Sequence, residues 1–277
     1  MAVVSGLIAV MQKAARKAAP KLRRDFNEVG ELQVSKKGPA EFVTMADKTS
    51  EQTLVAELRN ARPDWGMLLE EGGEIEGNPA KPRWIVDPLD GTTNFLHSIP
   101  HFAISIAVEE RRPDGRGEVT QALVYQPLTD ETFWAERGRG AWLHDRRLRV
   151  SSRRFLNETV IGTGIPHMGR SDSIRWTRIY NAVAPEVAGI RRFGAASLDF
   201  AWVAAGRMDG FWEDDLDPWD TAAGMLLVKE AGGFVSDYRG QDRMMDRREY
   251  IAGNSDVHSR LHKLVAGALR ETASSRT

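Results

Sequence analysis

A short apolar run that ends in two closely spaced aspartates constrains this chain more than any other feature. Trp84, Ile85 and Val86 are consecutive and apolar, which is typical of a strand buried on both faces. The chain continues as Asp87-Pro88-Leu89-Asp90-Gly91-Thr92-Thr93. Two carboxylates this close repel each other unless a cation holds them or one of them is protonated. The run therefore predicts a buried strand with acidic groups at its end.

The chemistry of this aspartate motif suits a metal and a phosphate. Oxygen ligands on a loop are the ligands that Mg²⁺ prefers. The backbone amides from Gly91 to Thr93 can begin a short helix, whose free N–H groups bind anions. The alternative is that Asp-Pro and Asp-Gly only form a turn, as these dipeptides often do. The motif alone leaves both interpretations open.

Composition narrows the class of protein. The chain has 277 residues, 42% hydrophobic and 28% charged, which is typical of a globular protein with a sizeable core. We expect one catalytic unit of two packed lobes, residues 1–147 and 148–277.

The formal net charge of -1 provides no overall electrostatic field that would attract nucleic acid or an anionic membrane. Without cysteine there is no thiolate chemistry, and without a long apolar stretch or a secretory signal we expect a cytoplasmic protein.

Apolar periodicity predicts an α/β (α+β) fold. In the first half, the sequence predicts a helix over residues 4–26, another between Thr44 and Pro63, and an antiparallel hairpin of residues 119–125 and 132–135. The second half alternates between strands and helices, which predicts a second sheet sandwiched by helices. Its predicted elements are strands 160–162, 190–193, 210–212 and 234–236, a helix over 174–187, a helix capped by Ser197, and a helix from Asp217 to Gly232.

Other acidic residues have ordinary structural explanations when each is taken alone. Asp47 fits the acidic partner of a helix capping box. Glu70 lies in an acidic, glycine-rich turn of the kind that is usually solvated. Asp217 fits a helix N-cap. Asp220 differs, because it lies in the first helical turn beside the apolar Trp219, and we expect its carboxylate to point inward.

Other catalytic chemistries have weak sequence support. His97 and His101 are four residues apart, but Pro100 between them disrupts helical geometry. His258 and His262 lack the glutamate of a zinc-protease motif. The chain also has no nucleophile elbow, Walker loop or dinucleotide-binding glycine motif.

Taken together, these segments resemble the inositol monophosphatase family. The matching segments are Glu70-Glu71, residues 84–95, and residues 218–233, in the family's order and spacing. Residues 101–108 and 204–211 are most similar to bacterial members. The likeness runs from about residue 7 to about residue 265. One departure is Gly72, where many members carry serine.

The resemblance implies a layered α-β-α-β-α sandwich of the sugar-phosphatase type. It implies a Mg²⁺-dependent, Li⁺-inhibited phosphomonoesterase, commonly a homodimer, with two to three Mg²⁺ ions per site. By position, Glu70, Asp87 and the carbonyl of Leu89 hold the first metal. Asp87, Asp90 and Asp220 hold the second, and Glu70 also serves a third, weaker one.

The resemblance also assigns roles around these metals. Thr92 positions the attacking water, Asp47 accepts a hydrogen bond from its hydroxyl, and Glu70 takes part in catalysis. Glu213 contacts the hydroxyls of a sugar or polyol, and Lys36 lies on a loop over the site. The other implied substrate contacts are Glu70, Leu89, Asp90, Gly91, Thr92, Gly194, Ala195, Ala196 and Asp220.

The implied reaction is hydrolysis of a small phosphate monoester, with myo-inositol monophosphate as the first candidate. Fructose 1,6-bisphosphate, histidinol phosphate and adenosine 3',5'-bisphosphate are the alternatives. No covalent enzyme intermediate is needed, because a divalent metal makes water acidic enough to attack phosphorus. Phosphatases with an aspartyl nucleophile carry Asp-x-Asp, whereas Asp87 and Asp90 are three apart. The non-enzyme alternative is a regulatory scaffold that retains the fold, and the complete acidic set argues against it.

Overall fold

Helices and strands account for most of the chain in the computed structural model, which describes residues 4–28, 34–36, 42–112, 114–167 and 171–274. The α-helices in these ranges are α1 (Gly6–Asn27), α2 (Met45–Ala61), α3 (Thr92–Leu96), α4 (Ser173–Val183), α5 (Ala196–Ala204), α6 (Pro218–Glu230), α7 (Met244–Arg247) and α8 (Ser255–Ser274). None of the helices in these ranges is both long and apolar enough to cross a membrane.

The strands form two large sheets and one small hairpin. The strands are β1 (Val34–Lys36), β2 (Phe42–Thr44), β3 (Gly66–Leu69), β4 (Gly73–Ile75), β5 (Arg83–Asp90), β6 (Ala103–Arg111), β7 (Gly117–Gln126), β8 (Glu131–Glu136), β9 (Gly140–Leu143), β10 (Arg146–Arg147), β11 (Val160–Thr163), β12 (Gly189–Arg191), β13 (Gly210–Asp214), β14 (Phe234–Ser236) and β15 (Glu249–Gly253). The first sheet has the order β10-β9-β8-β7-β6-β5-β3-β4, and the second has the order β12-β11-β13-β15-β14. The first is antiparallel except where β3 pairs with β5.

Alternation along the central strands divides the core between the two faces of the first sheet. Trp84 and Val86 of β5 pack in one apolar cluster with Ile8 of α1 and Leu54 of α2. Ile85, between them in sequence, belongs to a second cluster that contains residues of α5 and α6. Because successive strand residues point to opposite faces, one fully apolar run binds helices on both sides of the sheet.

The second sheet repeats this arrangement. Phe211 of β13 packs in the same cluster as α5 and α6, whereas the next residue, Trp212, packs with residues of α4 and α8. The order of layers is therefore α1 and α2, first sheet, α5 and α6, second sheet, α4 and α8. The predicted α-β-α-β-α sandwich is confirmed, as are the antiparallel pairing of β7 with β8 and a second sheet between helices.

Helix α6 approaches its neighbours closely because small residues line the contact. Ala103 and Ala107 of β6 lie on the face of the first sheet toward this layer. A Cβ at Gly224 of α6 would lie only 2.4 Å from Cβ of Phe200 on α5. We expect Gly224→Ala to lower the free energy of unfolding by about 1–3 kcal/mol through overpacking. Urea denaturation would measure this change.

Gly267→Ala is the matched control for that substitution. Gly267 also lies in a helix, α8, but a Cβ there would have no atom within 4 Å. Alanine should therefore stabilise this position by roughly 0.5–1 kcal/mol, as it does in open helical sites. If both variants shift stability in the same direction, the close contact at Gly224 does not have the effect proposed.

Three boundaries differ from the sequence predictions. Strand β5 does not stop at Val86 but continues to Asp90. Helix α4 ends at Val183 and a short 3-10 helix follows, because Pro185 cannot continue the α-helical hydrogen bonds. Ser197 does not cap α5: Ala195 occupies the N-cap position, and the Ser197 side chain bonds elsewhere.

Candidate active site

An irregularity in β5 brings Asp87 and Asp90 together. Residues three apart in a regular strand point to opposite faces. Here, three residues of β5 advance while its partner β6 advances two, from Ser105 to Ala103. Such a bulge redirects side chains, and the backbone N–H of Leu89 donates to Asp87 Oδ1 over 2.9 Å. Both residues are buried, since only 1% of the surface of Asp87 and 8% of that of Asp90 is exposed.

Helix α6 contributes the third carboxylate from its first turn. Asp217 is the N-cap and its backbone N–H donates to Asp220 Oδ2 over 2.8 Å, completing a capping box. The hydroxyl of Ser105 donates to the carbonyl of Trp219, which fixes the start of the helix against β6. The ligand atoms of Asp87, Asp90 and Asp220 all lie within 4.8 Å of one another. Asp220 therefore points inward, as predicted.

Glu70 joins this cluster from the end of β3. Its backbone N–H donates to the carbonyl of Val86, and its carboxyl group hydrogen-bonds to that of Asp87. Burial raises the pKa of Glu70 well above its usual range, and the charge of Asp220 adds to this effect. Burial and then the charge of Glu70 raise the pKa of Asp87 in the same way. The cluster needs protons or a cation to offset this repulsion.

Ser197 fixes Asp90 within the cluster. Its hydroxyl and backbone N–H both donate to Asp90 Oδ2, over 2.5 and 2.8 Å. Burial raises the pKa of Asp90, while these hydrogen bonds and others from the start of α5 lower it. This role of Ser197 could not be predicted from the sequence, because a serine near the start of a helix has the residue type of an N-cap. A pattern along one segment contains no signal for a partner 107 residues away.

Thr92 follows the cluster at the start of α3. Gly91 precedes it with φ of 93°, a left-handed conformation that favours glycine. A Cβ on Gly91 would lie 3.0 Å from the carbonyl oxygen of His101, so the packing also leaves little space there. The Thr92 hydroxyl donates its one proton to the carbonyl of Leu89 over 3.0 Å, whereas the resemblance implies donation to Asp47. The short helix expected after the aspartate motif is confirmed.

Asp47 and Glu213 approach the cluster from two other elements. Asp47 is buried on α2, and its charge is among the causes of the raised pKa of Glu70. The neighbouring hydroxyl of Ser50 donates to the carbonyl of Pro88, which ties α2 to β5. Glu213 lies on β13, and burial followed by the charge of Asp220 raises its pKa to about 8. The acidic residues predicted for the site thus lie in one region.

The Gly194–Ala196 segment is fixed next to the aspartate motif. The side-chain amide of Asn94 on α3 donates to the carbonyls of Phe193 and His101, each over 2.8 Å. The Cβ of Ala195 lies 3.2 Å from the position of a Cβ on Gly91. Lys36 pairs with Phe42 in the β1–β2 hairpin. The loop predicted over residues 34–39 thus begins with a strand, and residues 37–41 lie outside the described residues.

The donor chemistry of the cluster fits a divalent cation that prefers oxygen. Within the described ranges, Asp87, Asp90 and Asp220 form the only group of three or more His, Asp or Glu side chains close enough to share a metal. His101 instead packs between Phe193 and Trp202, and burial lowers its pKa to about 4. His258 bonds to the hydroxyl of Ser236.

A large groove on the described surface is lined by none of the residues of this cluster. It has a volume of about 980 Å³ and extends between β4 to β7 and helices α6 and α7. Several of its charged side chains already pair with one another, such as Arg83 with Glu109 and Lys229 with Asp242. We assign the chemistry to the buried carboxylates, because acidic groups with raised pKa values mark functional sites better than size does.

Comparison with known proteins agrees with this geometry. The profile of the inositol monophosphatase family matches residues 4–274. A Rhizobium meliloti protein named inositol-1-monophosphatase is 52% identical over 261 residues, covering 94% of this chain and 96% of the relative. A Pseudomonas aeruginosa protein named Nus factor SuhB is 44% identical over 253 residues, covering 90% and 92%. The crystal structure of extragenic suppressor protein SuhB from Bartonella henselae is 50% identical, covers 94% of this chain and 98% of its own, and superposes with a TM-score of 0.90. The chain therefore belongs to the inositol monophosphatase family and is a phosphoric monoester hydrolase.

Proposed function

We propose that this protein is a Mg²⁺-dependent phosphatase of small phosphorylated polyols, with myo-inositol monophosphate as its first candidate substrate. The main observation behind the proposal is that Asp87, Asp90 and Asp220 come together. Their ligand atoms lie within 4.8 Å of one another. The relative named inositol-1-monophosphatase supports the substrate class. The products are the free polyol and inorganic phosphate.

Five residues would hold the two to three Mg²⁺ ions. Bound Mg²⁺ supplies a Lewis acid that activates water and stabilises the charge that develops on the departing oxygen. The protein holds the ligands in place before binding: Ser197 fixes Asp90, and the amide of Asp217 fixes Asp220. The ligands are Glu70, Asp87, Leu89 through its carbonyl, Asp90 and Asp220.

Thr92 is proposed to orient the attacking water. Its hydroxyl proton is directed at the carbonyl of Leu89, so the lone pairs of Oγ1 are available to accept a hydrogen bond from water. Asp47 is buried beside Glu70 and adds negative charge there, which favours a positive or proton-donating neighbour. Glu213 and the backbone of residues 194–196 would receive the hydroxyls of the leaving alcohol.

The alternatives are a different alcohol part of the substrate, or a protein that does not catalyse hydrolysis at all. Fructose 1,6-bisphosphate, histidinol phosphate and adenosine 3',5'-bisphosphate present different groups to Glu213. The relative named Nus factor SuhB supports the alternative that this chain is a regulatory scaffold with the same fold. The carboxylate cluster is complete and its Asp87 and Asp90 are buried, which favours turnover, because buried like charges destabilise a fold that has no use for them.

A phosphate-release panel tests this proposal. We expect release from inositol monophosphate with Mg²⁺, none after chelation, and inhibition by added Li⁺. The panel includes the three alternative substrates, and the highest kcat/KM identifies the alcohol. No Mg²⁺-stimulated release from any of them would favour the scaffold, and an acid-stable phosphoenzyme on Asp87 would favour an aspartyl nucleophile. A homodimer in the cytoplasm completes the proposal, and sedimentation and cell fractionation test these two points.

A further inference from the structure

Gly164 lies directly against the carboxyl group of Glu213. A Cβ built on Gly164 would lie 1.9 Å from Glu213 Oε1 and 2.3 Å from its Cδ. Carbon atoms do not approach a carboxyl group so closely without a bond between them. The present position of the Glu213 side chain therefore requires that residue 164 have no side chain.

The backbone of Gly164 is itself fixed. Its carbonyl accepts hydrogen bonds from Trp176 Nε1 over 2.6 Å and from the hydroxyl of Thr163 over 3.0 Å. Thr163 is the register partner of Trp212, the residue before Glu213, in the parallel pairing of β11 and β13. The rings of Trp176 and Trp212 also pack together, with centroids 5.9 Å apart. These contacts hold the backbone of Gly164 in place beside the strand that carries Glu213.

Several charged groups near Glu213 also act on its carboxyl group. The positive charge of Arg192 attracts the carboxyl group, whereas the negative charges of Asp220, Asp90 and Asp214 repel it. Glu213 is partly exposed rather than fully enclosed. Part of the Glu213 residue is therefore open to a ligand.

We propose that Gly164 is a positioning residue that determines specificity for the alcohol part of the substrate. This inference rests on the proposed function, in which Glu213 receives hydroxyls of the leaving polyol. Because Gly164 has no side chain, the Glu213 carboxyl group can lie against its Cα and away from the alcohol subsite. The residue at 164 therefore determines the width of that subsite. Any side chain at 164 pushes this carboxyl group toward the subsite, which narrows the subsite and misplaces the acceptor.

Gly164→Ala tests the inference with two substrates. Inositol monophosphate carries hydroxyls for Glu213, whereas p-nitrophenyl phosphate carries none. We expect the ratio of their kcat/KM values to fall by about tenfold or more, because leaving a buried hydrogen-bonding group unsatisfied costs roughly 1–3 kcal/mol. The loss should arise mainly in KM for inositol monophosphate. In the double variant with Glu213→Gln, Gly164→Ala should have little further effect on the ratio, since it acts through Glu213.

Gly162→Ala is the matched control. Gly162 lies on β11 two residues earlier, and a Cβ there would meet the flexible end of Met208 at 3.0 Å rather than Glu213. A general disturbance of β11 would change both variants alike, and an equal fall of the ratio in both would overturn the proposal. Trp176→Phe provides a second test that adds no atoms beside Glu213. It removes the indole donor to Gly164, so it should lower the ratio in the same direction.

The outcomes separate this inference from the proposed function. If Glu213→Gln lowers the ratio but neither Gly164→Ala nor Trp176→Phe does, the positioning role is wrong while the proposed function stands. If the unmodified protein does not hydrolyse inositol monophosphate faster than p-nitrophenyl phosphate, the polyol assignment and this inference both fall.

Discussion

Asp220→Asn is expected to abolish phosphate release, with a loss of about a thousandfold or more. The metal chemistry contributes several kcal/mol to the barrier, and each 1.4 kcal/mol is about tenfold in rate. The asparagine oxygen can still accept the hydrogen bond that Asp220 Oδ2 receives from Asp217, so α6 keeps its capping interaction. The loss would then come from the missing negative charge rather than from an unfolded helix.

The same substitution should stabilise the protein in the absence of Mg²⁺. The charge of Asp220 is among the causes that raise the pKa values of Glu70 and Asp87. Removing it relieves repulsion among buried carboxylates. Thermal unfolding should show a higher Tm than the unmodified protein in chelator, and a smaller gain in Tm when Mg²⁺ is added. These opposite shifts distinguish a metal ligand from an ordinary helix cap.

Asp217→Asn is the matched control for this prediction. Asp217 lies three residues away and loses the same charge, and asparagine is an equally good N-cap. This variant should keep its Mg²⁺-dependent activity and its gain in Tm with Mg²⁺. If Asp220→Asn hydrolyses substrate at the original rate, or gains as much Tm with Mg²⁺ as the unmodified protein, the metal assignment is wrong.

The strand buried on both faces and the inward direction of Asp220 could be predicted from local signals, whereas the layer order and the full acidic cluster followed from the family resemblance. The run of Trp84, Ile85 and Val86 has no polar face, so helices must cover both sides of its sheet, as they do. Asp220 was predicted to point inward from its place beside Trp219 in the first turn of α6. Each of these two features was predicted from the residues of a single segment.

What could not be predicted depends on contacts between distant segments. The bulge that places Asp87 and Asp90 together depends on how β6 pairs with β5, and no rule along one strand fixes that register. Ser197 has the residue type of a cap, but its partner is Asp90 on another layer. Gly164 has no sequence feature that points to Glu213. Tertiary packing decides these positions, and local propensity does not.

Thr92→Ala should separate orientation of water from metal binding. The substitution removes the hydroxyl that donates to the carbonyl of Leu89 but leaves every carboxylate in place. We expect kcat to fall by roughly 10²–10³-fold, because a polar group that orients a reactant contributes about this much to the rate. The gain in Tm on addition of Mg²⁺ should stay close to that of the unmodified protein. Thr92→Ser is the matched control, because it retains the hydroxyl and should retain most of the activity. Parallel loss of Mg²⁺ binding in Thr92→Ala would instead mean that the hydroxyl mainly holds Leu89 in place, and full activity would remove Thr92 from the reaction altogether.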